Sequence, residues 1–167
     1  MFRVTQVQTI VYNIMNNQLK TKTRLAFIQI IFQHISTTNN LDEILNMFIE
    51  NYKGTSVKSF HDKKKIKFEF NSNFLIKLSK FYIKLISLNL HSERINSILT
   101  FDRKFEKWDI INQSILIATL SEIHNSEKNK FKIILNDYLN IAKFFISKTE
   151  IGTLNAILDK LINEKKF

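Results

Sequence analysis

Lys20, Lys22 and Arg24 are three cations at alternate positions just ahead of an apolar run. Side chains of this kind neutralise phosphate oxygens, so the chemistry they offer is the binding of a polyanion rather than the making of bonds. They stand at the head of a stretch with helical spacing, where the helix dipole disfavours positive charge. No acid precedes Asp42, so nothing local compensates them. Helix stability therefore does not explain these residues, whereas phosphate binding does. Three neutralised phosphates on a single strand predict a log–log salt slope of roughly −2. The competing reading is a solvated basic arm.

A second group is Lys148, Thr149 and Gly152. Thr149 reads as the cap of a final helix, whose free backbone N–H groups attract anions. Gly152 has no side chain and leaves room for a phosphate or a base. The plainer reading is a threonine cap worth about 1 kcal/mol, with Glu150 already complementing the dipole. Lys63, Lys64, Lys65 and Lys67, followed by Phe68 and Phe70, form a basic and aromatic run of the type that stacks bases. Alternating phenylalanines more often face a core, and that reading is preferred here. Reactive constellations are missing. His34, His61, His91 and His124 are isolated in separate stretches without ligand spacing. With Gly54 and Gly152 the only glycines, phosphate loops and dinucleotide fingerprints are excluded. No cysteine means no thiolate metal site and no disulfide. The expectation is a non-enzyme with no cofactor and no metal.

Lys and Arg number 25 against 15 Asp and Glu, a formal charge of +10 over 167 residues. Such a surplus favours polyanions, nucleic acid first and an anionic membrane surface second. The abundance of Lys, Asn, Ile and Phe, residues of AT-rich codons, is a rival explanation of the charge. No apolar run reaches the length of a membrane span. The segment from Met1 to Met15 lacks a small-residue cleavage site, although its want of acids resembles a transit peptide. The absence of cysteine fits a reducing, cytoplasmic location.

Two glycines and no proline argue for helices over turn-rich sheets. Residues 1–18 show no clean period and read as an arm or an upstream extension. Residues 19–167 read as one helical domain. Leu25, Ile28, Phe32 and Ile35 recur at helical spacing from Leu19 to about Ile35. Asn40 is placed to cap a helix from Leu41 to about Tyr52. The stretch from Lys53 to Asn73 is loose, with Ile66–Phe70 either a short strand or an extended crossover. A helix then runs from Asn73 to about Leu90, and a shorter one from Ser92 to about Thr100. Residues Asp109 to His124 are apolar on nearly all sides and predict a central, buried helix. Lys130 to about Ile146 and Glu150 to about Lys165 complete an all-α body of six or seven helices.

Four segments, in order and in register, resemble the NusB family. They are Arg24-Leu25-Ala26-Phe27-Ile28-Gln29-Ile30-Ile31-Phe32-Gln33, then Asp109 to Ala118 closing with Ser121-Glu122-Ile123, then Ile134 to Phe145, and Leu154-Asn155-Ala156-Ile157-Leu158-Asp159-Lys160-Leu161. This chain has Asp137 where the family's Ile-Asn-Glu-Ala motif has Glu, Ala156 for a Gly, and Asn112 for an acid often found early in the central helix. The arginine-rich family start is reduced to Lys20, Lys22 and Arg24. The resemblance implies two packed three-helix bundles without catalysis. It also implies binding to boxA-type leader RNA of ribosomal RNA operons, together with the ribosomal protein NusE. Other Nus factors and RNA polymerase would be reached indirectly, and some members form homodimers. By resemblance, Phe32, Ile111 and Asn112 lie near the protein partner. Phe32 is equally readable as core. The alternative function is a NusB-like interaction protein, or a self-associating module without specific RNA binding.

Overall fold

A computed structural model describes residues 19–37, 39–58, 65–87, 91–100 and 102–163. The arm at 1–18 and the lysines 63 and 64 lie outside the described residues. Seven α-helices follow in order among them: α1 (Leu19–Thr37), α2 (Leu41–Tyr52), α3 (Ser72–Ser87), α4 (His91–Ile98), α5 (Ile110–His124), α6 (Phe131–Ala142) and α7 (Lys148–Asn163). Strands β1 (Ser56–Lys58) and β2 (Lys65–Lys67) pair antiparallel between α2 and α3, with Val57 opposite Ile66.

Helices α1, α2 and α3 pack on one another, and so do α5, α6 and α7. The two three-helix sets meet where α1 and α3 lie on α5 and where α1 touches α6. Helix α4 packs on α7 and on a 3-10 turn at Phe105–Lys107. This is the expected all-α arrangement. Because α5 has neighbours on all sides, every residue from Ser114 to Ile123 is buried. Its nearly continuous apolar run is the sequence form of that position. Helix α1 is likewise surrounded. Leu25 to Ile28, Ile30 and Ile31 are all buried, a wider apolar surface than the single stripe expected. Phe32 and Ile35 lie at its partly exposed end.

The local signals act through identifiable caps. Asn40 Oδ1 accepts from the Asp42 N–H at 2.8 Å and starts α2 as expected. Asn71 Oδ1 accepts from the Phe74 N–H at 2.9 Å, so α3 begins before Asn73. Gly54 has φ +74°, and its N–H donates to Phe68 O at 2.8 Å. That left-handed turn ends α2 and leads the chain into the hairpin. Phe68 and Phe70 are 4% and 2% exposed and pack on Phe48, so the core reading of the alternating phenylalanines holds. Helix α6 stops at Ala142 rather than Ile146. Its last carbonyls accept short-range bonds from Phe144 and Phe145, which tighten the chain ahead of α7.

Helices α1 and α3 are joined by the 2.8 Å contact between His34 Nδ1 and the Tyr82 hydroxyl. Burial lowers the His34 pKa and pushes Tyr82 up to about 12. The unfolded chain thus takes up the histidine proton first. Stability is complete above the free histidine value of about 6.5 and declines as pH falls through it toward the depressed folded value. His124 shifts the same way, through burial and then through Lys84 and Arg94. The melting temperature is therefore expected to drop between about pH 7 and pH 5. His34→Gln should flatten part of that drop in a thermal series.

Candidate nucleic-acid interface

The start of α1 is built around a buried charge. Arg24 is 6% exposed. Its Nε donates to Glu122 Oε2 at 2.9 Å and one terminal nitrogen to Glu122 Oε1 at 2.5 Å, while the other reaches Asp137 Oδ2 at 2.5 Å. Tyr138, fully buried, donates its hydroxyl to Glu122 Oε2 at 2.9 Å. The guanidinium also lies over the rings of Phe74 and Tyr138. Burial opposes its charge, but hydrogen bonding and charge from Glu122, then the charge of Asp137, outweigh that and raise its pKa above the usual arginine range. Burial, followed by the Glu122 charge, raises the Tyr138 pKa as well.

Arg24 is therefore corrected from an RNA ligand to a core residue. The acids that compensate it are absent from its own helix, as the sequence indicates, but they come from α5 and α6. Its two companions differ. Lys20 is exposed and Lys22 half-buried, and they flank Thr21, whose hydroxyl donates to the Asp137 carboxylate at 2.9–3.0 Å. Asp137 thus ties α6 to α1 through Thr21 and Arg24. Asn155 bonds within its own helix to Asp159.

The start of α7 also needs correction. Its cap is Ser147 rather than Thr149. Ser147 Oγ accepts from the Glu150 N–H at 3.3 Å, and Glu150 Oε2 accepts from the Ser147 N–H at 2.8 Å. This reciprocal box takes up donors that a phosphate would need. Glu150 is held below the usual carboxylate range by the hydrogen bonds from the Ser147 and Asn112 side chains and then from the Ser147 backbone. Lys148, Thr149 and Gly152 are all exposed. A Cβ added at Gly152 would meet nothing within 4 Å. Gly152→Ala is expected to raise stability by about 0.5–1 kcal/mol, read as a higher urea midpoint. Weaker RNA binding in that stabilised variant would mark the open surface as used.

Asn112 closes one side of a cleft of about 170 Å³ lined by Arg103, Trp108, Asp109, Asn112, Glu150, Thr153 and Leu154. Its Nδ2 donates to Glu150 Oε1 at 2.8 Å, while its buried Oδ1 has no partner among the described residues. Ile111 and Phe32 are half-buried, and Ile111 packs against the core.

The two cationic groups thus have different neighbours on one helix. The α1 group is tied to Glu122 near the end of α5, and the α7 group to Asn112 near its start. Ten residues of helix separate those anchors, about 15 Å. Among the described residues no group of three His, Asp or Glu is placed to hold a metal, and no helix is long and apolar enough to cross a membrane.

The buried Arg24 joins the two three-helix sets, with Lys20 and Lys22 beside it in sequence. The NusB family model matches residues 21–163, and the chain belongs to the NusB family. It is similar to the transcription antitermination protein NusB of Rickettsia rickettsii (strain Sheila Smith), 28% identical over 152 residues, covering 87% of this chain and 92% of that protein. The protein of the same name from Rickettsia bellii (strain OSU 85-389) is 29% identical over 150 residues, covering 88% and 92%. No solved structure matches the chain.

Proposed function

We propose that this protein is an RNA-binding transcription antitermination factor that acts as an adaptor without catalysis. It binds boxA-type RNA of ribosomal RNA leaders together with NusE, and through that pair meets other Nus factors and RNA polymerase to suppress termination. Lys20 and Lys22 neutralise phosphates at the α1 face. Lys148, Thr149 and Gly152 form a second contact about 15 Å along α5. Phe32, Ile111 and Asn112 face the protein partner, with the cleft beside Asn112 as its seat.

The observation that carries the reading is the α1 face in a chain of this family. Lys20 is exposed and Lys22 half-buried there, while Glu122 and Asp137 are taken up by Arg24 and Thr21. Neither contact need be tight, because joining two weak contacts raises affinity through effective concentration. The test is an anisotropy titration with boxA-type and scrambled RNA, with and without NusE. Preference for boxA that strengthens with NusE is expected. Equal affinity for both RNAs in both conditions would overturn the proposal. Light scattering with and without RNA separates a homodimer that masks the RNA face from an inert dimer.

A further inference from the structure

We propose that Thr21 is a positioning residue: its hydroxyl, locked onto Asp137, sets the direction in which Lys20 and Lys22 leave α1 toward a polyanion. The inference rests on the placement of RNA at the α1 face. Thr21 is 7% exposed and lies between the two lysines in sequence. Its Oγ1 straddles both oxygens of Asp137, 2.9 and 3.0 Å away and 116 residues distant in the chain. Successive helical residues point about 100° apart, so any rotation of α1 that broke this contact would swing both lysine stems.

A second pin holds the same turn. Thr23 Oγ1 accepts from the Asn71 N–H at 3.0 Å while donating to Leu19 O at 2.7 Å. The clamp is not needed to close the core. Arg24 already ties α1 to α5 through two bonds to Glu122, and Asp137 already has Arg24 as its charge partner. What the Thr21–Asp137 contact adds is rotational register. Stems held in place lose less freedom on binding, which is the usual gain from preorganisation.

The experiment uses the full chain and a short fluorescein-labelled boxA-type RNA at low salt. Thr21→Val is expected to weaken binding about fivefold, the weight of one net hydrogen bond, with a melting temperature within about 4 °C of wild type. Thr21→Ser should restore binding. In a Lys20→Ala/Lys22→Ala background, Thr21→Val should cause no further loss, a coupling that a purely structural role would not produce. Wild-type binding by Thr21→Val, or the same loss with and without the lysines, overturns the proposal. If Thr21→Val unfolds, Thr21→Ala replaces it with the same expected coupling, and absence of that coupling overturns the proposal. A Lys20→Ala/Lys22→Ala protein that binds like wild type defeats the α1 placement and this inference together. Weak binding by that protein beside normal binding by Thr21→Val defeats the positioning alone.

Discussion

Arg24→Met is expected to destabilise the protein by about 3–5 kcal/mol, the range for removing one partner of a buried ion pair. The substitution keeps most of the apolar stem but leaves Glu122, itself 4% exposed, without its cation. Tyr138 still donates one bond to Glu122 Oε2, which neutralises nothing. Asp137 suffers less, because its side chain is 23% exposed and Thr21 remains bonded to it. The loss should appear as a lower urea midpoint with an unchanged slope. Adding Glu122→Gln to Arg24→Met should recover a large part of it, since the unpaired charge rather than the lost attraction dominates the cost. A variant as stable as wild type would mean that the buried pair is not what holds α1 against α5.

Lys20→Ala/Lys22→Ala is expected to leave stability nearly unchanged and to weaken RNA binding roughly tenfold, from two ionic contacts of about 0.5–1 kcal/mol each. Phosphate contacts carry no sequence information, so boxA-type and scrambled RNA should lose affinity alike. The log–log salt slope should become shallower by about 1.4, two phosphates at roughly 0.7 each on a single strand. Arg24 adds nothing to that slope, because its guanidinium is spent on Glu122 and Asp137. A slope of roughly −2, which three surface cations would give, is thus revised to roughly −1.4 for the α1 face.

The helices were legible because their signals are local. The run from Ile110 to Ile123 announced a helix with neighbours on every side, and Asn40 announced its cap. Arg24 was misread because its partners are 98 and 113 residues away, and spacing says nothing about such contacts. A signal did exist. Glu122 sits inside the buried run of α5, and a buried carboxylate requires a cation. Arg24 heads the apolar stretch of α1, the natural place for that cation. Ser147 was also readable, since a capping box needs its acid three residues on, which Glu150 satisfies for Ser147 and Gly152 does not for Thr149. The cleft beside Asn112 had no such signal. It arises where α5, α7 and the segment from Arg103 to Asp109 meet, and only packing reveals it.

The central claim is that one surface of this bundle takes RNA by its backbone while a second takes a protein. Backbone amide shift mapping of the labelled protein tests it most directly, with boxA-type RNA and the ribosomal partner added in turn. RNA should move the amides around Lys20 and Lys22 and those around Lys148 to Gly152, while the partner should move those around Phe32, Ile111 and Asn112. RNA that leaves the α1 start untouched at low salt, or a partner that shifts only the residues RNA shifts, would contradict the account.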